Sequence, residues 1–143
     1  MGVDPTPRSV VRAFFADVRA GRDTARAADF MAPRVLAHQL TSEAPATAER
    51  TPADHAAHVE EMTLAYGDFT LTVDELLADV DRVYVRRTQT GRHVGEVDGV
   101  APTGLPVVEV ASAVYRVEAG RIAEYRIQID RAGIEAQLRR NAG

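Results

Sequence analysis

The chain has no cysteine, no lysine and no tryptophan, and only 6% of its 143 residues are aromatic. Without cysteine it has no disulfides, no thiolate metal sites and no thiol nucleophile. Without tryptophan, and with few other rings, any pocket must be walled mainly by aliphatic groups. The seventeen basic residues are all arginine, and the net charge is −4. An acidic balance argues against a nucleic-acid partner, because phosphate neutralisation needs a cationic surface. No apolar run approaches the roughly 18 residues of a membrane span. The opening stretch "MGVDPTPRSV" lacks a basic start with an apolar core, so the chain reads as cytoplasmic. Arginine in place of lysine, with abundant alanine and valine, points to a high-GC genome such as an actinomycete's.

Apolar residues make up 45% of the chain, enough for one core, so residues 1–143 read as a single domain. Thr6-Pro7 is an N-cap followed by proline at the first helical position, and Val10, Val11, Phe14, Phe15 and Val18 recur at helical spacing before Gly21. Asp23 opens a second, short helix that ends near Met31, with Pro33 as its breaker. Residues 34–40 are either a short strand or an extended entry to a loop, and "TSEAPATAER" is a polar loop. Thr51-Pro52 repeats the cap signal for a third helix that runs to about Tyr66. Strands follow from Phe69, over Val83–Gly91, over Pro106–Val117 and over Ile122–Ile129, then a short helix in "RAGIEAQLRR". Helices first and hairpin-connected strands after predict an α+β fold, with helices on one face of an antiparallel sheet. Such a sheet, curved and closed by helices on its concave side, makes a cone around a pocket.

The segment "GRHVGEVDGVAPTG" carries four glycines between two strands. A phosphate loop would lead into a helix N-terminus and carry a lysine. This one leads into a strand. Gly91, Gly95, Gly99 and Gly104 fit better as places where the backbone bends or turns.

That segment, with "GRIAEYRIQIDRAGIEAQL" after it, resembles the SnoaL-like polyketide cyclases, small NTF2-like α+β cones. The features carrying the resemblance are H-x-G…P-T-G and a G-R-I…D…Q-L ending. The resemblance implies a cofactor-free, acid/base-catalysed intramolecular aldol closure of a polyketide-like small molecule. It places the acid/base carboxylate at Asp130, the end of the last strand, and implies roles in substrate binding for Arg126 and His93. At three positions the family's residue is replaced: by Phe14 for a tyrosine, His58 for an asparagine and Arg116 for a histidine. Family members commonly assemble as homodimers or homotetramers. Others on this fold assist hydroxylation, open epoxides or isomerise steroids, and a non-catalytic ligand-binding role is a further alternative.

Strand parity extends the candidate site. Arg126, Gln128 and Asp130 share one face of the last strand. If Asp130 faces a pocket, Arg126 and Gln128 do too, and Tyr125, Ile127 and Ile129 are then covered by an oligomer contact. Val83, Val85, Arg87, Gln89 and His93 share a face that begins apolar and ends polar, as a pocket wall would. Asp130 also has a plain alternative as the cap of the helix that follows. His38 is a further pocket candidate. His55 and His58 are neighbours on a helix surface with Glu61 near, but they lack an H-E-x-x-H pattern, so no metal is expected. Epoxide opening needs a second inward acid or an aspartate–arginine relay around a water, and Glu109 or Asp74 facing Asp130 in the pocket would favour it.

Overall fold

The structure, a computed structural model, describes residues 6–143. Helix α1 (Pro7–Phe14) starts where the sequence signals it: Thr6 and Ser9 form a reciprocal capping box around Pro7. It runs into a π turn, Phe15–Arg19, then a 3₁₀ turn, Thr24–Arg26, and α2 (Ala27–Phe30). Strands β1 (Met31–Gln39) and β2 (Ala46–Arg50) precede α3 (Pro52–Tyr66), which opens on a second capping box, Thr51 with Asp54. Then come β3 (Thr70–Asp79), β4 (Arg82–Arg92), β5 (Pro106–Glu118), β6 (Arg121–Ile129) and α4 (Arg131–Asn141).

The strands form one six-stranded sheet in the order β2-β1-β6-β5-β4-β3. It is mixed rather than wholly antiparallel, because β1 pairs with β6 in parallel. β2 lies in the stretch read as a polar loop: its residues are nearly all exposed, so no alternation of apolar residues marks it. Pro33 does not stop at a helix boundary but sits inside β1. The β1–β6 register shifts between Met31 and Leu36, an irregularity that accommodates a residue without an N–H. Further shifts, between Val73 and Glu75 on β3 and between Arg116 and Val117 on β5, bend the sheet.

Curvature gives the sheet a concave face, and alternation loads that face. On β4, Val83, Val85, Arg87 and Gln89 are all buried, while Tyr84, Arg86 and Thr88 between them are not. β5 turns Val107, Ala111, Ala113, Tyr115 and Val117 inward, and β6 turns Ile122, Tyr125 and Ile127 inward. Val10, Val11, Phe14, Phe15 and Val18 close over them from the first helical segment, and Phe14, Phe15 and Tyr115 pack edge to face or tilted.

The glycines after β4 are explained by close approach. A Cβ on Gly91 would stand 2.7 Å from Tyr66 Cβ, and one on Gly95 would stand 2.5 Å from the Leu64 carbonyl oxygen. The end of β4 and its loop press onto the last turn of α3, and the Val94 and Gly95 N–H groups both donate to the Ala65 carbonyl. Backbone on backbone leaves no room for a methyl group. Gly95→Ala should therefore cost about 1–3 kcal/mol of stability, read as a lowered urea midpoint at unchanged slope.

Candidate active site

Between the concave face and α3 lies a cavity of about 160 Å³. Its wall combines Arg19, Arg50, His55, His58, Met62, Tyr66, Arg87, Glu109, Tyr115 and Tyr125 with Gln39, Ile127, Ile129 and Arg131. At its centre is a carboxylate held by guanidinium groups. Arg87 Nη1 donates to Glu109 Oε2 at 2.8 Å, and Arg19 Nη2 lies 3.6 Å from the same oxygen. Arg19 Nη2 also donates to Gln89 Oε1 at 2.9 Å. Glu109 Oε1 has no protein hydrogen-bond partner among the described residues. Arg19 is 5% exposed and Arg87 4%, so these charges sit in a low-dielectric interior where only pairing makes them tolerable.

Several donors are left over. Arg19 Nη1, Arg50 Nε and both ring nitrogens of His55 are buried without a hydrogen-bond partner. An orphan buried donor is costly, so a cavity wall carrying several of them is shaped for oxygen atoms that are not part of the protein. Burial, with the Arg87 charge adding to it, lowers the Arg19 pKa to about 9, so the group is still cationic at neutral pH. Burial, and then the Arg19 charge, push His55 down to about 3, which keeps its imidazole neutral. His58 is lowered too, first by burial and then by Arg50. Burial raises the phenol of Tyr115, so it remains a hydroxyl.

The sequence-based candidates divide according to strand parity. Arg87 and Gln89 face the cavity region as expected, and His58 lines the cavity wall. Phe14 is buried in the core, 5.1 Å ring to ring from His55. His93 is fully buried on the inward face of the chain, with both ring nitrogens unpartnered, but it is not a lining residue of this cavity.

The other candidates lie elsewhere. Asp130 is exposed and caps α4, accepting the Gly133 N–H at 3.0 Å; its chain neighbours Ile129 and Arg131 line the cavity while its own side chain does not. Arg126 and Gln128 are exposed on the outer face. Tyr125 and Ile127, expected in an oligomer contact, are inside. The physical reason is that the more apolar face of β6 takes the core, and the polar face takes solvent. Arg116 and His38 belong to that outer face as well. His38 Nε2 is 2.7 Å from Glu124 Oε2 and Arg116 Nε donates to Glu124 Oε1 at 3.1 Å, with Arg126 Nη2 3.4 Å from Glu124 Oε2. Asp74 is also outside, accepting from Thr88 Oγ1 at 2.7 Å.

Arg19 and Arg50 were not among the sequence-based candidates, and Glu109 was raised only as a conditional acid. Arg19 had a signal: it falls four residues after Phe15, so a charge stands on an apolar stripe. Glu109 had one too, alternating with Val107 and Ala111 on β5. Among the described residues no group of three or more His, Asp or Glu side chains could hold a metal ion, and no helix is long and apolar enough to cross a membrane.

The neutral imidazole of His55 makes the fold acid-sensitive. Its folded pKa of about 3 lies below the ordinary 6.5, so the unfolded chain binds the proton first. Stability is therefore full above about pH 6.5 and is lost as pH falls toward 3. Asp54 and Glu124, held low by a cap and by ion pairs, begin to act in the same direction only near about pH 4. Urea unfolding at about pH 7 and about pH 5 should show a loss of stability that is clearly smaller in His55→Phe, with the residue from His58 remaining.

Comparison with known proteins places this geometry in a family. No curated protein matches the chain significantly. Among solved structures it is similar to a candidate polyketide cyclase from Acidithiobacillus ferrooxidans, at TM-score 0.82 and 21% identity, covering 99% of each chain. It is similar to IdmH, a candidate polyketide cyclase from Streptomyces antibioticus, at TM-score 0.77 and 26% identity, covering 93% of this chain and 98% of that one. An LEH-like epoxide hydrolase of M. tuberculosis shares the fold at TM-score 0.66 and 19% identity, covering 94% and 90%. The family described as SnoaL-like polyketide cyclase matches residues 9–138. An NTF2-like cone with an arginine-lined acid at its centre, carried by a chain matched over nearly its whole length, belongs to the SnoaL-like polyketide cyclase family.

Proposed function

We propose that this protein is a cofactor-independent cyclase that closes a ring in a polyketide-like substrate by proton transfer, with Glu109 rather than Asp130 as the acid/base. The observation that carries this reading is the Glu109 carboxylate, with one oxygen tied to Arg87 and the other open, beside the unpartnered Arg19 Nη1. Glu109 Oε1 accepts a proton from a methylene next to a carbonyl, and the C–H electron pair becomes the enolate. Arg19 Nη1 donates to the oxygen where the negative charge gathers. A donor already in place in a dry site needs no reorganisation and is worth far more than in water. The enolate carbon then forms a C–C bond to a second carbonyl carbon of the same molecule. The resulting alkoxide takes the proton back from Glu109, so no external acid, base or redox partner is consumed.

The cavity supplies what each step asks. Tyr115, Tyr125, Ile127 and Met62 give flat and apolar contact for a conjugated substrate. His55, neutral and with both nitrogens free, offers one donor and one acceptor to a carbonyl or hydroxyl. Gln89 holds Arg19 in place from below. Epoxide opening asks for a second inward acid or an acid–arginine relay around a water. Glu109 is the one carboxylate among the described lining residues, and its pairing with Arg87 and Arg19 keeps the relay as the second reading of this site.

The test uses an aromatic substrate bearing a β-keto side chain and a neighbouring ketone, with a ring carboxyl either free or as its methyl ester. In D₂O the protein should introduce deuterium at the methylene and yield the ring-closed isomer, followed by NMR and mass spectrometry. Glu109→Gln should lower the rate by about a hundredfold or more. Asp130→Asn keeps the cap, since asparagine caps as well as aspartate, and should stay within about twofold of the parent. Loss of turnover in Asp130→Asn with Glu109→Gln unaffected would return the role to Asp130.

A further inference from the structure

The cavity is unbalanced in charge. Four guanidinium groups line it, those of Arg19, Arg50, Arg87 and Arg131, against the single carboxylate of Glu109. The charge of Glu109 is offset by Arg87 and Arg19, which both lie on its Oε2. Arg50 and Arg131 have no ion-pair partner among the described residues. The two histidines of the wall add no negative charge and are held toward the neutral form by burial and by these same arginines. Asp54 acts on Arg50 and Glu61 on His58 from outside the lining, so the excess of positive charge is a property of the cavity wall itself.

Charge and hydrogen bonding agree. Arg50 Nε and Arg19 Nη1 are buried donors without acceptors, on opposite sides in sequence but on one cavity wall. Water serves such donors weakly in an apolar site, and an anion serves them well, because hydrogen bonds to ionised acceptors are roughly twice as strong. A guanidinium is also a planar fork that matches a carboxylate. Volume sets the scale: about 160 Å³ is close to the roughly 150 Å³ engineered cavity that takes up benzene. The cavity itself holds about one ring of a bound molecule, and its open side leaves the remainder outside.

We infer that the substrate is a carboxylic acid, bound ionised, whose carboxylate is held at Arg50 while one ring and its ketone fill the cavity against Arg19. The inference rests on the reading of this cavity as the reaction site. It gives the arginines of the wall separate tasks. Arg87 holds the base, Arg19 meets the carbonyl oxygen that becomes anionic, and Arg50 selects an acidic substrate over its ester.

The test is a binding experiment on the whole chain, free of any need for turnover. 3-Acetylbenzoate, one ring with a carboxylate and a ketone, is titrated by calorimetry at low ionic strength beside 3-acetylbenzamide, its uncharged counterpart. The acid should bind about tenfold tighter or more, the step expected for a charge-assisted over a neutral hydrogen bond. Added salt should narrow the gap. Arg50→Gln should close most of that gap, weakening the acid far more than the amide. The unaltered protein alone decides the case if that variant does not fold. Equal affinity for acid and amide, or no binding of the acid at millimolar concentration, would overturn the inference. Equal affinity together with deuterium entry into the methylene would leave the proton-transfer reading standing. Selective binding of the acid without deuterium entry for acid or ester would do the reverse.

Discussion

A carboxylate stands inside the cone only because two arginines reach it from different elements. Glu109 comes from β5, Arg87 from the neighbouring β4, and Arg19 from the π turn that ends the first helical segment. Removing charges from water costs several kcal/mol per ion, and mutual attraction offsets this only with good geometry and further hydrogen bonds. Here Gln89 adds such a bond to Arg19. The pairing ties helix to sheet and fixes the wall on which the rest of the site is built. His55 is kept neutral first by its burial, and the charge of Arg19 adds to that.

Around this pair the division of labour follows depth. The deep end of the cone, with Val11, Val18, Val83, Val85 and Ile122, is closed apolar packing. Toward the mouth the same strands carry Arg87, Gln89, Glu109 and Tyr125 on the same inward face. Apolar packing holds the sheet curved and the helices down, which keeps the polar end from collapsing on itself. The orphan donors are the consequence: a rigid frame holds them where no protein acceptor can reach. The cavity and its unsatisfied groups thus have one origin. Asp130, at the head of α4, caps that helix beside the cavity, and its side chain is not among the lining residues.

Strand parity was the most reliable reading of the sequence, and on β6 it gives the observed side-chain placement where the inward placement of Asp130 and Arg126 does not. On β4 alternation separated Val83, Val85, Arg87 and Gln89 from Tyr84, Arg86 and Thr88 correctly, because one face of the strand is plainly more apolar. On β6 the same rule placed Tyr125 and Ile127 inward. Setting it aside to turn Asp130 and Arg126 into the pocket required an oligomer contact to cover the apolar face, and the structure puts that face on the core instead. Arg116, Arg126 and His38 meet around Glu124 on the outside. Each looks as capable of holding a substrate as Arg87 does; only the side of the sheet distinguishes them.

The sequence by itself determined the helix starts at Thr6-Pro7 and Thr51-Pro52, the long strands, the helix-then-strand order and the family, since capping, alternation and motif spacing are local properties of the chain. The parallel pairing of β1 with β6, the strand β2, the reason for Gly91 and Gly95, and the meeting of Arg19, Arg50, Arg87 and Glu109 were decided only by the tertiary structure. These four side chains are spread over ninety positions of sequence numbering, from Arg19 to Glu109, and no local rule relates them. What brings them together is the bend of the sheet and the helix laid across it, and the low dielectric that this creates is what turns ordinary side chains into a site.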